Sequence, residues 1–519
     1  VFIISLGYNQ VIELFPSGGG GYKAATQLIG PYAGLVSGAS LLIDYVLTIA
    51  ISVASAGDAV FSLLPANLQG QRFTSELVMA VLLIALNLRG MKESIKVLLP
   101  IFIGFFLTHA ALIVYGIAYH APHLTQLLPS SINDAGALAR NTGWIFVASL
   151  FLRAYSLGGG TYTGIEAVSN NVNILTEPRV RTGKLTMLYM ATSLAFTAGG
   201  IILLYLLWHA APEAGRTLNA VVFGQIIATL GIGNPTLSHA LLAVVLALEG
   251  GLLLVAANTG FLGGPAVLAN MAADRWVPRQ FRQLSSRMVT RYGVLLMGGA
   301  AIAILLWSRG EVSVLVVLYS INVFLTFSLS LYGLTRHWWR QRRLARPWRA
   351  RILLSFSGLL LTGFILGVTL IEKFTAGGWL TLVVTGGVIA ICLRIKRHYD
   401  RSAAALARID TAYAPRLDWD ENAAGPELDP NAPTAAFSSA PTAAPALPAR
   451  LGGEAARRAL PQLPLSLRRR SRQAGLRRRT RAGQPAGPHR QLAALLHQLL
   501  RQSRPRRARL SGLRRRSAG

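Results

Sequence analysis

The sequence predicts an all-α polytopic membrane protein, and three observations predict it. Of its 519 residues, 52% are hydrophobic and only 14% are charged. Apolar runs long enough to cross a bilayer, for which about 20 residues suffice, recur along the chain. Basic residues collect in alternate loops between those runs, the bias that the positive-inside rule attaches to a multi-pass protein.

The runs lie, in order, near residues 1–12, 29–64, 75–88, 95–119, 143–173, 185–208, 237–262, 292–308, 313–335, 351–371 and 377–393. Their connecting loops fix the expected topology. One set carries Arg89, Lys92 and Lys96, then Arg179, Arg181 and Lys184, then Arg275, Arg279, Arg282, Arg287 and Arg291. It continues with Arg336, Arg340, Arg342, Arg343, Arg346, Arg349 and Arg351, and with Arg394, Lys396 and Arg397. The opposite loops balance their few cations with acids: Arg72 with Glu76, Arg140 with Asp134, Arg216 with Glu213, Arg309 with Glu311, Lys373 with Glu372. The first set belongs in the cytoplasm. The run at 1–12 then goes from outside to inside and is short for a span, so at least one further helix is expected upstream, making twelve spans in all. The expected organisation is a transmembrane domain over 1–397, a cytosolic linker over 398–436 and a tail over 437–519.

Three features carry chemistry. On the second run, Asp44, Thr48, Ser52, Ser55 and Asp58 recur at helical spacing, within about 120° of one another and over about 20 Å of helix. Hydroxyls in a membrane helix often bond back to the backbone or hold helices together. An aspartate in mid-span is expensive and marks a functional site by default. Asp58 lies near the outer end and reads as interfacial. Carboxylate and hydroxyl oxygens on one face suit a hard cation.

The second feature is an interruption. The run at 143–173 breaks at Gly158-Gly159-Gly160-Thr161-Tyr162-Thr163-Gly164 and resumes around Glu166. A helix unwound inside a bilayer frees backbone groups that lipid cannot satisfy, so the break must line a cavity or a bound solute. Close helix packing is the alternative use of the glycines. A carboxylate here either pairs a cation or holds a coupling proton. The third feature is Tyr319, in mid-span, which either offers its hydroxyl to the cavity or packs as a core aromatic.

Other signals exclude functions. The loop Gly18–Gly21 lacks the Lys-Ser/Thr of a phosphate loop and reads as a flexible turn. The nine histidines show no metal-ligand spacing, and no Ser/His/Asp or Cys/His arrangement is apparent, so neither an enzyme nor a cofactor is expected. The lone Cys392 excludes an intrachain disulfide.

With these residues in view, the chain resembles the amino acid–polyamine–organocation (APC) superfamily. Phe15-Pro16-Ser17-Gly18-Gly19-Gly20-Gly21-Tyr22 is similar to its loop between helices two and three. Asp44-Tyr45-Val46-Leu47-Thr48-Ile49, Thr161–Asn170, Glu177–Lys184, Asn270–Asp274 and Tyr319–Asn322 resemble the KimA-type proton-coupled potassium transporters, which are related to the KUP carriers. The resemblance implies a LeuT-type fold of two inverted five-helix repeats plus two helices, commonly as a homodimer. It implies K+ and H+ binding at Asp44, Thr48, Ser52, Thr163 and Glu166, with Tyr45, Tyr162 and Tyr319 gating or supporting. The family's broken first helix, which supplies an acid and a tyrosine, has no counterpart in these residues. Many relatives are described as amino acid permeases, so a small cation and an amino acid both stand as substrates of an inner-membrane carrier.

The net charge of +30 does not bear on this site. Residues 455–519 hold 19 Arg and no Lys, Asp or Glu, which leaves about +11 on the rest. Likeness to the family ends near Ala435-Ala436-Phe437. Beyond 454 the composition is that of GC-rich DNA read out of frame. A basic tail binding anionic lipid or nucleic acid, on a membrane-anchored scaffold, is the rival reading. No nucleic-acid partner is expected, and such a segment cannot bury a core.

Overall fold

Nine helices of the computed structural model are long and apolar enough to cross a membrane, among the residues it describes: 1–65, 67–158, 162–284, 290–343 and 348–413. The chain opens with α1 (Phe2–Leu14) and, after the glycine loop, the short α2 (Gly20–Leu28). Then come α3 (Pro31–Phe61), α4 (Arg72–Arg89), α5 (Met91–Tyr119), α6 (Leu124–Thr142), α7 (Trp144–Leu157) and α8 (Thr163–Asn170). The rest is α9 (Arg179–Leu207), α10 (Leu218–Ala228), α11 (Pro235–Ala273), α12 (Arg291–Ser308), α13 (Val312–Arg340), α14 (Trp348–Lys373) and α15 (Trp379–Tyr413). The nine spans are α3, α4, most of α5, α9, and α11 to α15. They match nine of the apolar runs. The remaining two runs are α1, of 13 residues, and the pair α7–α8, where the helix stops at Leu157 and restarts at Thr163.

Local chemistry sets the starts. Pro31 opens α3 and Pro235 opens α11, positions where a missing N–H costs nothing. Asn234 and Thr217 cap α11 and α10 by accepting the amides of Thr236 at 2.9 Å and Ala220 at 3.2 Å.

Helix α3 is the axis of the bundle, with 83% of its apolar window buried. Close packing against α11 runs through glycines. A Cβ on Gly260 would lie 2.7 Å from the Tyr45 carbonyl, one on Gly250 would press on Val60 and Ala56, and one on Gly263 would meet the Tyr45 ring. Helices α2, α4, α12 and α13 complete the shell around α3. A second apolar cluster joins α5, α9, α10 and α11 through Ile113, Leu204, Phe223, Ile226 and Leu246. Outward faces carry exposed Val81, Leu82, Leu107, Val114, Ile371 and Val383, the surface that acyl chains cover.

The basic segments meet at one end. Glu13 pairs with Lys184 and, at 3.1 Å, with Arg351. Arg336 donates to the carbonyls of Leu28 and Ile29, and Lys396 to that of Asp274. At the other end of α3, Arg72 pairs with Asp58 at 2.6 Å and with Glu76 at 3.4 Å. Two loop charges prove to be interior instead: Glu76 is 0% and Lys373 is 3% exposed.

Residues Val1–Thr411 make one compact unit. Helix α15 passes the expected boundary at 397 and runs to Tyr413. The remainder of the linker and the whole Arg-rich tail lie outside the described residues.

Candidate functional site

Glu166 sits in the first turn of α8, where the helix dipole favours a carboxylate, and is 1% exposed. Three donors from three segments hold it. The Tyr8 hydroxyl of α1 donates to Oε1 at 2.5 Å, and the Gly21 amide of α2 and the Ser169 hydroxyl of α8 donate to Oε2 at 3.4 and 3.2 Å. An edge-on Phe327 of α13 backs Tyr8, at 5.2 Å between ring centres.

The glycine loop is therefore part of the site and not a free turn. Gly18, Gly19 and Gly20 have φ of +77°, +100° and +41°, conformations that L side chains avoid. This lets the loop lie on α8, with the Gly19 amide donating to the Asn170 carbonyl at 3.0 Å. At the same end of α8, the Asn170 amide donates to the Tyr45 hydroxyl of α3 at 2.7 Å. Both ends of the two-turn helix are thus tied to neighbouring elements.

On α3, Asp44 is 1% exposed, interacts electrostatically with Glu166 and faces the Tyr319 hydroxyl. Its Oδ1 has no hydrogen-bond partner among the described residues. Thr48 donates to the Asp44 carbonyl at 2.8 Å, the back-bonding habit of a helical threonine, and stands 3.4 Å from the Tyr319 hydroxyl. Ser52 follows one turn on, 6% exposed, whereas Ser55 is only partly buried and Asp58 belongs to the Arg72 cluster. Tyr162 points elsewhere: it meets the Tyr155 hydroxyl at 3.3 Å and packs edge-on to Phe324. Thr163 begins α8, but its side chain, like residues 159–161 of the break, lies outside the described residues.

The arrangement gathers two buried carboxylates, hydroxyls and backbone oxygens, with neither sulfur nor imidazole. Among the described residues neither acid is paired with Lys or Arg, and no group of three or more His, Cys, Asp or Glu is placed to hold a metal ion. Such a set can take a proton or a hard monovalent ion. Sequence reasoning missed Tyr8 and Gly21 as donors to Glu166, since nothing local to them points across 158 and 145 residues, and it passed over Ser169, whose i, i+3 spacing on the same helix was the available signal.

Comparison with known proteins agrees with this architecture. The potassium transporter KimA of Bacillus subtilis is 29% identical over 409 residues, which cover 78% of this chain and 64% of that relative. The chain thus spans less than two thirds of the relative's length. A family model described as amino acid permease matches residues 4–391. Three quarters of the chain fall within that match, and the protein belongs to the amino acid permease family, a family of membrane transporters.

Proposed function

We propose that this chain is a secondary transporter that carries K+ with H+ by alternating access. One observation supports this above all: Asp44 and Glu166 are each 1% exposed, stand on different helices and lack a basic partner among the described residues. Two such acids inside a bilayer need a proton or a mobile cation for company. The name of the Bacillus relative points the same way. Thr48 and Ser52 supply further oxygens to the ion, Thr163 is proposed to do so from the start of α8, and Tyr45 and Tyr319 brace the two sides. Tyr162 is a support for the break.

A second reading follows from the family's description: uptake of an amino acid. That site would read an α-amino and an α-carboxyl group with half-helix ends and freed backbone, and has little use for two buried acids. On either reading the protein resides in the inner membrane as a homodimer, its basic end and C-terminus cytoplasmic.

Proteoliposomes decide between them. Saturable rubidium uptake that Glu166→Gln and Asp44→Asn abolish, with no uptake of labelled amino acids, is the expected result. Amino acid uptake without rubidium uptake would refute the cation reading.

A further inference from the structure

Lys373 closes α14 with its side chain folded into the protein, 3% exposed and without an ion-pair partner among the described residues. Its ammonium donates to the Val316 carbonyl at 2.8 Å and to the Ser320 hydroxyl at 2.7 Å, one and two turns into α13. Ser320 passes the contact on. Its single proton goes to the Ser156 carbonyl of α7 at 3.2 Å. Ser156 lies in the last turn of α7, at the negative end of the helix dipole. The residue before Ser320, Tyr319, faces Asp44 and Thr48, about 100° round α13.

We propose that Lys373 is a positioning residue for the ion site: its charge fixes the C-terminal end of α7 against α13 and keeps Tyr319 directed at Asp44. An ammonium inside a membrane protein is expensive and normally has a task. Here it supplies the positive charge that the carbonyl end of a broken helix calls for, from outside the space an ion would occupy. Two hydroxyls of α15 hold α13 about half a turn round from Ser320: Thr381 donates to the Leu318 carbonyl at 2.9 Å and Thr385 to Asn322 Oδ1 at 3.1 Å.

This inference rests on the cation-carrier reading, and the experiment separates the two. The full chain is reconstituted as wild type, Lys373→Met, Lys373→Arg and Ser320→Ala, and rubidium uptake is measured beside hydrogen–deuterium exchange of the peptide 150–157. Lys373→Met is expected to raise KM about tenfold, the scale of one hydrogen bond to a charged group, while Vmax changes less than about twofold. Exchange at 150–157 is expected to quicken in the same variant. Lys373→Arg, which keeps the charge, is expected to restore KM to within about threefold. Ser320→Ala breaks the relay without touching the charge and is expected to quicken exchange as well, so it carries the test if Lys373→Met does not insert. Unchanged KM and unchanged exchange in the variants that insert would overturn the proposal. A wild type that takes up no rubidium would overturn the transport reading alone, and the exchange measurement would still decide whether the tether exists.

Discussion

A methyl group added at Gly21 is expected to disable the site without unfolding the protein. A Cβ there would stand 2.6 Å from Glu166 Oε1, 2.7 Å from the Ser330 hydroxyl and 2.9 Å from Thr326 Cγ2, all inside ordinary contact distance. Gly21 has helical backbone, so alanine by itself would favour α2 by about 0.5–1 kcal/mol. Overpacking a close-packed interior costs about 1–3 kcal/mol, so net stability should fall by about 1–2 kcal/mol. The site loses more. Relief of the clash pushes the carboxylate off the Gly21 amide, and a hydrogen bond to a charged group contributes about 1.5–3 kcal/mol, or about 10- to 100-fold in affinity. The control is Gly367→Ala, a helical glycine of α14 whose Cβ would meet no atom within 4 Å. Thermal unfolding in detergent and the KM for rubidium in proteoliposomes are the two measurements. If Gly21→Ala matches Gly367→Ala in both, the assignment of the glycine loop to the site is wrong.

Tyr8→Phe removes only the hydroxyl donated to Glu166 Oε1, and rubidium KM is expected to rise about tenfold with the folded fraction unchanged. Tyr45→Phe unties Asn170 from α3 and should destabilise the protein by about 1 kcal/mol, read as a lower melting temperature that Asn170→Leu does not lower further. Arg72→Gln leaves the fully buried Glu76 without its cation and is expected to cost about 1–3 kcal/mol, largely recovered in the double variant Arg72→Gln, Glu76→Gln. Removing residues 455–519 is expected to leave rubidium uptake as it was. Loss of transport on that deletion would instead favour a functional basic tail.

The spans were legible because burial in a bilayer demands long apolar runs, and a run of some 20 residues leaves few alternatives. Asp44 and Glu166 stood out for the same reason: a carboxylate is conspicuous where nearly everything else is Leu, Val or Ile. What surrounds them was not legible. Gly21 donates to Glu166 from 145 residues away, and Tyr8 from 158, and no periodicity encodes such a pairing. Gly18–Gly21 read as a flexible turn because glycine permits both mobility and a fixed left-handed path, and only the neighbouring α8 decides between them. Glu76 and Lys373 read as loop charges because each lies near the end of an apolar run, where a long side chain can as easily fold inward as reach water.

The glycine seam between α3 and α11 bears on how such a molecule would move. With backbone set against side chain at Gly260, Gly263 and Gly250, the two rods have no slack to slide and behave as a single anvil. Asp44 is mounted on that anvil, while Glu166 rides a peg of eight residues. Any tilt of the peg therefore alters the gap between the two acids directly. On the proposed cation reading, the grip on a charged passenger would be geared to that one small mechanical coordinate.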